Sequence, residues 1–94
     1  MTTEIRHEAA EHRYALYLDG ELSGVADYMA AGGKVYMTHT EVFPAKRQNG
    51  LGAMLVQAAL DDIRFTGAGA VVPQCSFVGH YIRTHPDYEE LLAS

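Results

Sequence analysis

Ninety-four residues, 48% of them hydrophobic and 20% charged, suffice for one compact domain and exclude an enzyme built from separate cofactor and substrate modules. Seven Lys and Arg against twelve Asp and Glu leave a net charge of −5, which excludes general binding to a nucleic-acid backbone. One cysteine precludes an intramolecular disulfide, and neither an apolar run of about 18 residues nor an apolar signal segment in Met1–Arg6 is present, so the expectation is a soluble, cytoplasmic protein without a membrane partner.

Residues 3–8 read as a short first strand. Residues 12–18 alternate, with Tyr14, Leu16 and Leu18 on one face and Arg13, Ala15 and Tyr17 on the other. Asp19-Gly20 suits a type I′ hairpin turn, and Leu22 to Met29 returns as the partner strand. Ala31-Gly32-Gly33 breaks it. Lys34 to Phe43, rich in Val, Tyr and Thr, forms the next long strand and ends at Pro44, completing an antiparallel meander.

From Gly50 to Phe65 the apolar residues fall at 51, 55, 56, 59, 60 and 63, one face of a helix, with Gln57, Asp61, Asp62 and Arg64 on the solvated face. Asn49 is placed to cap its start, and Gly67 and Gly69 stop it. Residues 70–75 read as a buried strand, which makes the third long strand, the helix and this strand a β-α-β crossover with parallel strands. Two short helices, 77–84 and 87–92, follow on either side of His85-Pro86. The fold class is α/β (α+β): one domain over 1–94, a mixed sheet with helices packed on it.

The segment Arg47-Gln48-Asn49-Gly50-Leu51-Gly52 lies between a strand and a helix. Unpaired amides at the helix start, glycines that let a ligand approach, and the cations Lys46 and Arg47 favour an anion there, a phosphate above all. An ordinary helix start with glycines that relieve crowding is an equal reading of the hexapeptide alone. A Walker loop is excluded because Ala53-Met54 follows Gly52. A dinucleotide fingerprint is excluded because three strands come first and the next strand carries no acid.

Arg-x-x-Gly-x-Gly opening a helix after an antiparallel meander resembles the pyrophosphate loop of the Gcn5-related N-acetyltransferases. Val35 to Val42, Val72-Pro73-Gln74-Cys75-Ser76-Phe77-Val78, Tyr81-Ile82 and His85-Pro86-Asp87-Tyr88 look like the minimal single-domain group of that superfamily, the YjdJ-like proteins and N-acetyltransferase domain-containing protein 1. The likeness covers nearly the whole chain. Gln48 and Asn49 stand where glycine and glutamine are common elsewhere, and the C-terminal hairpin that usually walls the acceptor site is missing.

This resemblance implies acetyl-coenzyme A as cosubstrate, no metal, and a primary amine as acceptor, either a protein lysine or a small amine. It implies that the third long strand splays from the 71–75 strand, that backbone groups of Thr40, Glu41 and Val42 bind the pantetheine arm, and that Lys46 and the Arg47-to-Gly52 loop, Leu51 included, hold the pyrophosphate. The thioester would lie between His39 and Cys75.

A cysteine in an apolar strand is commonly inert core, and a histidine in an alternating strand is commonly structural. The crossover brings both strand ends together, at the end of an open sheet where ligands bind. His39 would then take the amine's proton while Cys75 polarises the thioester or protonates the leaving thiolate. In a covalent alternative, His39 activates Cys75 as a thiolate, which takes the acetyl group first. A coenzyme A-binding module without turnover is the rival function. The edge of a truncated sheet is open to a second copy, making a homodimer, or to covering helices.

Overall fold

The computed structural model describes residues 2–46 and 50–93. Four strands follow one another as an antiparallel meander: β1 (Thr3–Glu8), β2 (Arg13–Leu18), β3 (Glu21–Ala31) and β4 (Lys34–Val42). Asp19 and Gly20, with φ of 49° and 82°, turn the β2–β3 hairpin as that dipeptide predicts. Helix α1 (Leu51–Thr66) then crosses to β5 (Ala70–Pro73), which lies parallel to β4 and completes a five-stranded mixed sheet in sequence order. Helix α2 (Ser76–Thr84) and a 3-10 segment, Pro86–Leu91, follow where two short helices were expected.

The apolar stripe of α1, Leu51, Leu55, Val56, Ala59, Leu60 and Ile63, is buried against one face of the sheet. Tyr14, Leu16 and Leu18 of β2, Ala26 of β3, Val35 and Met37 of β4 and Val71 of β5 supply the sheet side of that core. Val78, Tyr81 and Ile82 of α2 enter the same cluster. Fully burying one such aliphatic side chain contributes about 1.5–3 kcal/mol, so this single layer dominates the fold's stability.

Gly69 fixes where the crossover lands. Its φ is +153°, and a Cβ there would sit 2.5 Å from the Gly33 carbonyl oxygen. That oxygen accepts from the Ala70 amide at 3.1 Å, the first bond joining β5 to the end of the preceding hairpin. Only glycine permits this approach.

One irregularity in β4 positions the site. His39 pairs with Asp27, but Met37 pairs with Tyr28, so Thr38 is an extra residue on β4. A bulge of this kind reverses which side chains face the core. Val35 and Met37 point to α1 before it, and Val42 packs on the same core after it.

Candidate active site

β4 and β5 run in register from Lys34 opposite Ala70 to Met37 opposite Pro73. The Cys75 amide still donates to the Met37 oxygen at 2.9 Å, after which the chain turns away into α2 while β4 continues to Val42. The two parallel strands therefore part at Met37 and Cys75. Phe43 N–H donates to the Ser23 oxygen at 2.9 Å, which fixes Val25–Glu41 and Asp27–His39 as the directly bonded pairs of β3 and β4. Thr40 and Val42 consequently direct their backbone groups away from β3, toward the parting strands, and Glu41 directs its own to Val25.

Two helix N-termini meet at this opening. Gly50 holds the cap position of α1 with φ +86°, a conformation natural to glycine and reached here in place of a side-chain cap. The sequence-based cap residue, Asn49, lies outside the described residues, as do Arg47, Gln48 and the side chain of Lys46. Met54 N–H makes the first intrahelical bond, to Gly50 at 2.9 Å, so the amides of Leu51, Gly52 and Ala53 precede it at the positive end of the helix. Gly52 has a second cause that its motif did not disclose. A Cβ at that position would lie 2.8 Å from the Phe77 ring, so its smallness lets α1 and α2 approach.

Cys75 is the cap residue of α2 and is half-buried against the core. Burial alone pushes its thiol up. The amides of Val78 and Phe77 and the hydroxyl and amide of Thr40 outweigh it, and the thiol is held below its ordinary value. The Thr40 Oγ1 atom is buried beside the thiol, and among the described residues it makes no well-aligned hydrogen bond. A buried hydroxyl left in that condition costs about 1–3 kcal/mol, a cost that a ligand group entering the opening would relieve. The residues present thus fit an extended, amide-bearing arm along Thr40 and an anion at the start of α1.

His39 occupies the other face of β4. Its Nε2 lies 3.3 Å from Glu41 Oε1, and both side chains are about half exposed, at 56% and 42%. The structure brings Thr40, rather than His39, against the cysteine, and leaves His39 and Cys75 on opposite sides of the line of β4. Parity along the strand would have put residue 39 with Val35 and Met37. The Thr38 bulge gives that place to Thr40, and nothing in the sequence marks a bulge there.

An open sheet whose parallel strands part beside two helix N-termini is the arrangement in which α/β domains generally bind ligands, at the carboxyl ends of the strands. The chain belongs to the GCN5-related N-acetyltransferases, whose family model matches residues 13–91. That family generally uses acetyl-coenzyme A as cosubstrate. A GCN5-like protein from Staphylococcus aureus, solved by NMR, shares the fold with a TM-score of 0.70 at 18% identity, covering 97% of this chain and 88% of that one. A GNAT-family protein from Desulfovibrio desulfuricans, solved by crystallography at 1.85 Å, matches with a TM-score of 0.53 at 25% identity. The match covers 90% of this chain but 57% of that longer one. No curated protein matches the chain.

Proposed function

We propose that this domain transfers the acetyl group of acetyl-coenzyme A to a primary amine. The observation that supports this most is the parting of β4 from β5 at Met37 and Cys75, with the Thr40 hydroxyl buried beside the thiol, without a well-aligned hydrogen bond among the described residues, and the thiol held below its ordinary pKa. In this reading the pantetheine arm lies along Thr40 and its neighbours on β4. The pyrophosphate sits at the amides of Gly50, Leu51 and Gly52, helped by Lys46, Arg47, Gln48 and Asn49. The thioester then lies between the two faces of β4.

The amine approaches from the face that carries His39 and Glu41. Its nitrogen attacks the carbonyl carbon while His39, oriented by Glu41, accepts the ammonium proton. The carbon–sulfur bond breaks, and Cys75 on the opposite face donates a proton to the departing thiolate. The separate placement of His39 and Cys75 suits this division, because the attacking nitrogen and the departing sulfur are different substituents of the tetrahedral carbon and each needs its own proton partner.

A lowered thiol pKa also favours a second reading, in which the Cys75 thiolate attacks first, coenzyme A leaves, and the acetyl-cysteine passes its acyl group to the amine. Intact mass after acetyl-coenzyme A treatment without acceptor separates the two. A mass increase of one acetyl group, absent in Cys75→Ser, supports the covalent route, and an unchanged mass supports direct transfer.

Calorimetry with acetyl-coenzyme A, paired with acetylation of a lysine peptide and of a small diamine, tests the proposal. His39→Ala should cut transfer by about 10² to 10⁴ with cosubstrate affinity nearly unchanged. Binding without any transfer would leave a coenzyme A-binding module, and no binding at millimolar cosubstrate would remove both functions.

A further inference from the structure

β1 is the outer strand of the sheet, and among the described residues no strand lies beyond it. Its pairing with β2 fixes which backbone groups are spent. Asp19 N–H donates to the Thr2 oxygen at 2.8 Å, and the register continues with Glu4 opposite Tyr17, Arg6 opposite Ala15 and Glu8 opposite Arg13. Those alternate residues bond inward, so the N–H and C=O groups of Thr3, Ile5 and His7 face outward. Glu4 and Arg6 stand on the sheet face away from α1, 3.0 Å apart and both exposed. Ile5 lies on the α1 side and packs at the rim of the core.

We propose that two copies of this chain join through β1, antiparallel, about a two-fold axis at Ile5. In that register Ile5 faces itself, Thr3 faces His7 of the second copy, and the three outward residues on each side exchange six backbone hydrogen bonds. Glu4 falls directly across from Arg6 of the second copy, twice by symmetry. These are the non-bonded pairs of the ladder, where side chains lie closest. The charges also select the register. Sliding by one symmetric step in either direction puts Glu4 against Glu4 or Arg6 against Arg6. Charged residues on an edge strand usually prevent pairing; here one of each sign, two residues apart, makes the edge complementary to itself. The interface is isologous and closes, so it yields a dimer with one continuous ten-stranded sheet.

Sedimentation equilibrium of the full chain, up to about millimolar concentration, tests this at neutral pH and low salt. The wild type should show concentration-dependent dimers. Glu4→Arg and Arg6→Glu each place like charges across the junction and should weaken association about tenfold or more, with circular dichroism unchanged. Mixing the two variants should restore dimers, because the charges across the junction are then opposite again; a purely intrachain role for the Glu4–Arg6 pair gives no such recovery. A wild type that stays monomeric throughout, dimers insensitive to both variants, or a mixture that does not recover would each overturn the proposal.

Discussion

Cys75 reports on the opening through its own titration. Burial raises the thiol, but the helix amides and Thr40 more than offset it, so at a given pH more thiolate is present than in an unstructured peptide. Alkylation by iodoacetamide should therefore reach half its maximal rate at a lower pH than for a free cysteine peptide. Thr40→Val removes the hydroxyl and should move that midpoint upward, and a profile identical to the wild type would show that the hydroxyl does not act on the sulfur. At this scale the crossover was legible in the sequence, and the face that each β4 side chain takes was not. Both His39 and Cys75 do lie where β4 and β5 part, because strand ends follow from the crossover alone. Which side chain meets the thiol depends on the Thr38 bulge, and a single extra residue exchanges the faces of everything after it. Thr38 could not announce this, since threonine is itself a favoured residue of regular strands. Its hydroxyl does reach the Asp27 oxygen at 3.3 Å, the partner carbonyl at the irregularity.

Elements were far more legible than contacts. Alternation, the Asp19-Gly20 turn and the 51–63 apolar stripe are local signals, and each strand and helix lies within a few residues of where they put it. The C-terminal 3-10 segment was read as a helix, because Asp87 to Leu92 is too short for periodicity to distinguish the two. Glycine roles were only half legible. Gly69 looked like a helix stop, yet its Cβ position is filled by the Gly33 carbonyl, a contact between residues 36 apart in sequence. Gly69→Ala must distort the start of β5 and strain the backbone at φ +153°, and should cost about 3 kcal/mol or more in urea unfolding. Gly20→Ala, also at positive φ but with nothing within 4 Å of its Cβ, should cost roughly 1–2 kcal/mol. Equal losses would mean that the close approach at Gly69 adds nothing to the conformational preference.

The whole molecule is tied together along the polar edge of α1. Asp61 and Asp62 read as solvated helix positions, but each accepts a hydrogen bond from a buried tyrosine distant in sequence. Tyr14 of β2 donates to Asp62 at 2.7 Å, and Tyr88 of the C-terminal segment donates to Asp61 at 2.7 Å. His7 of the edge strand stacks on Tyr14, approaches Asp62 at 3.4 Å and meets the Tyr28 hydroxyl at 2.5 Å. One helix thus anchors the first strand and the last turn. The hydrogen bond to Asp61, reinforced by burial, pushes the Tyr88 hydroxyl up to about 12, and burial together with Asp62 pushes Tyr14 up as well. A phenol whose pKa is raised by folding keeps its proton longer in the native state than in the unfolded chain. Its contribution to stability is complete below the unfolded value of 10.0 and is lost as pH rises through the folded one. Unfolding free energy from urea titrations should therefore hold steady to about pH 10 and fall between there and about pH 12. Tyr88→Phe should start about 1 kcal/mol lower at neutral pH, through loss of the hydrogen bond, and then fall less steeply across that window. Parallel alkaline curves for the two proteins would mean that Tyr88 titrates as freely when folded as when unfolded, and that its bond to Asp61 is not what holds the C-terminal turn on α1.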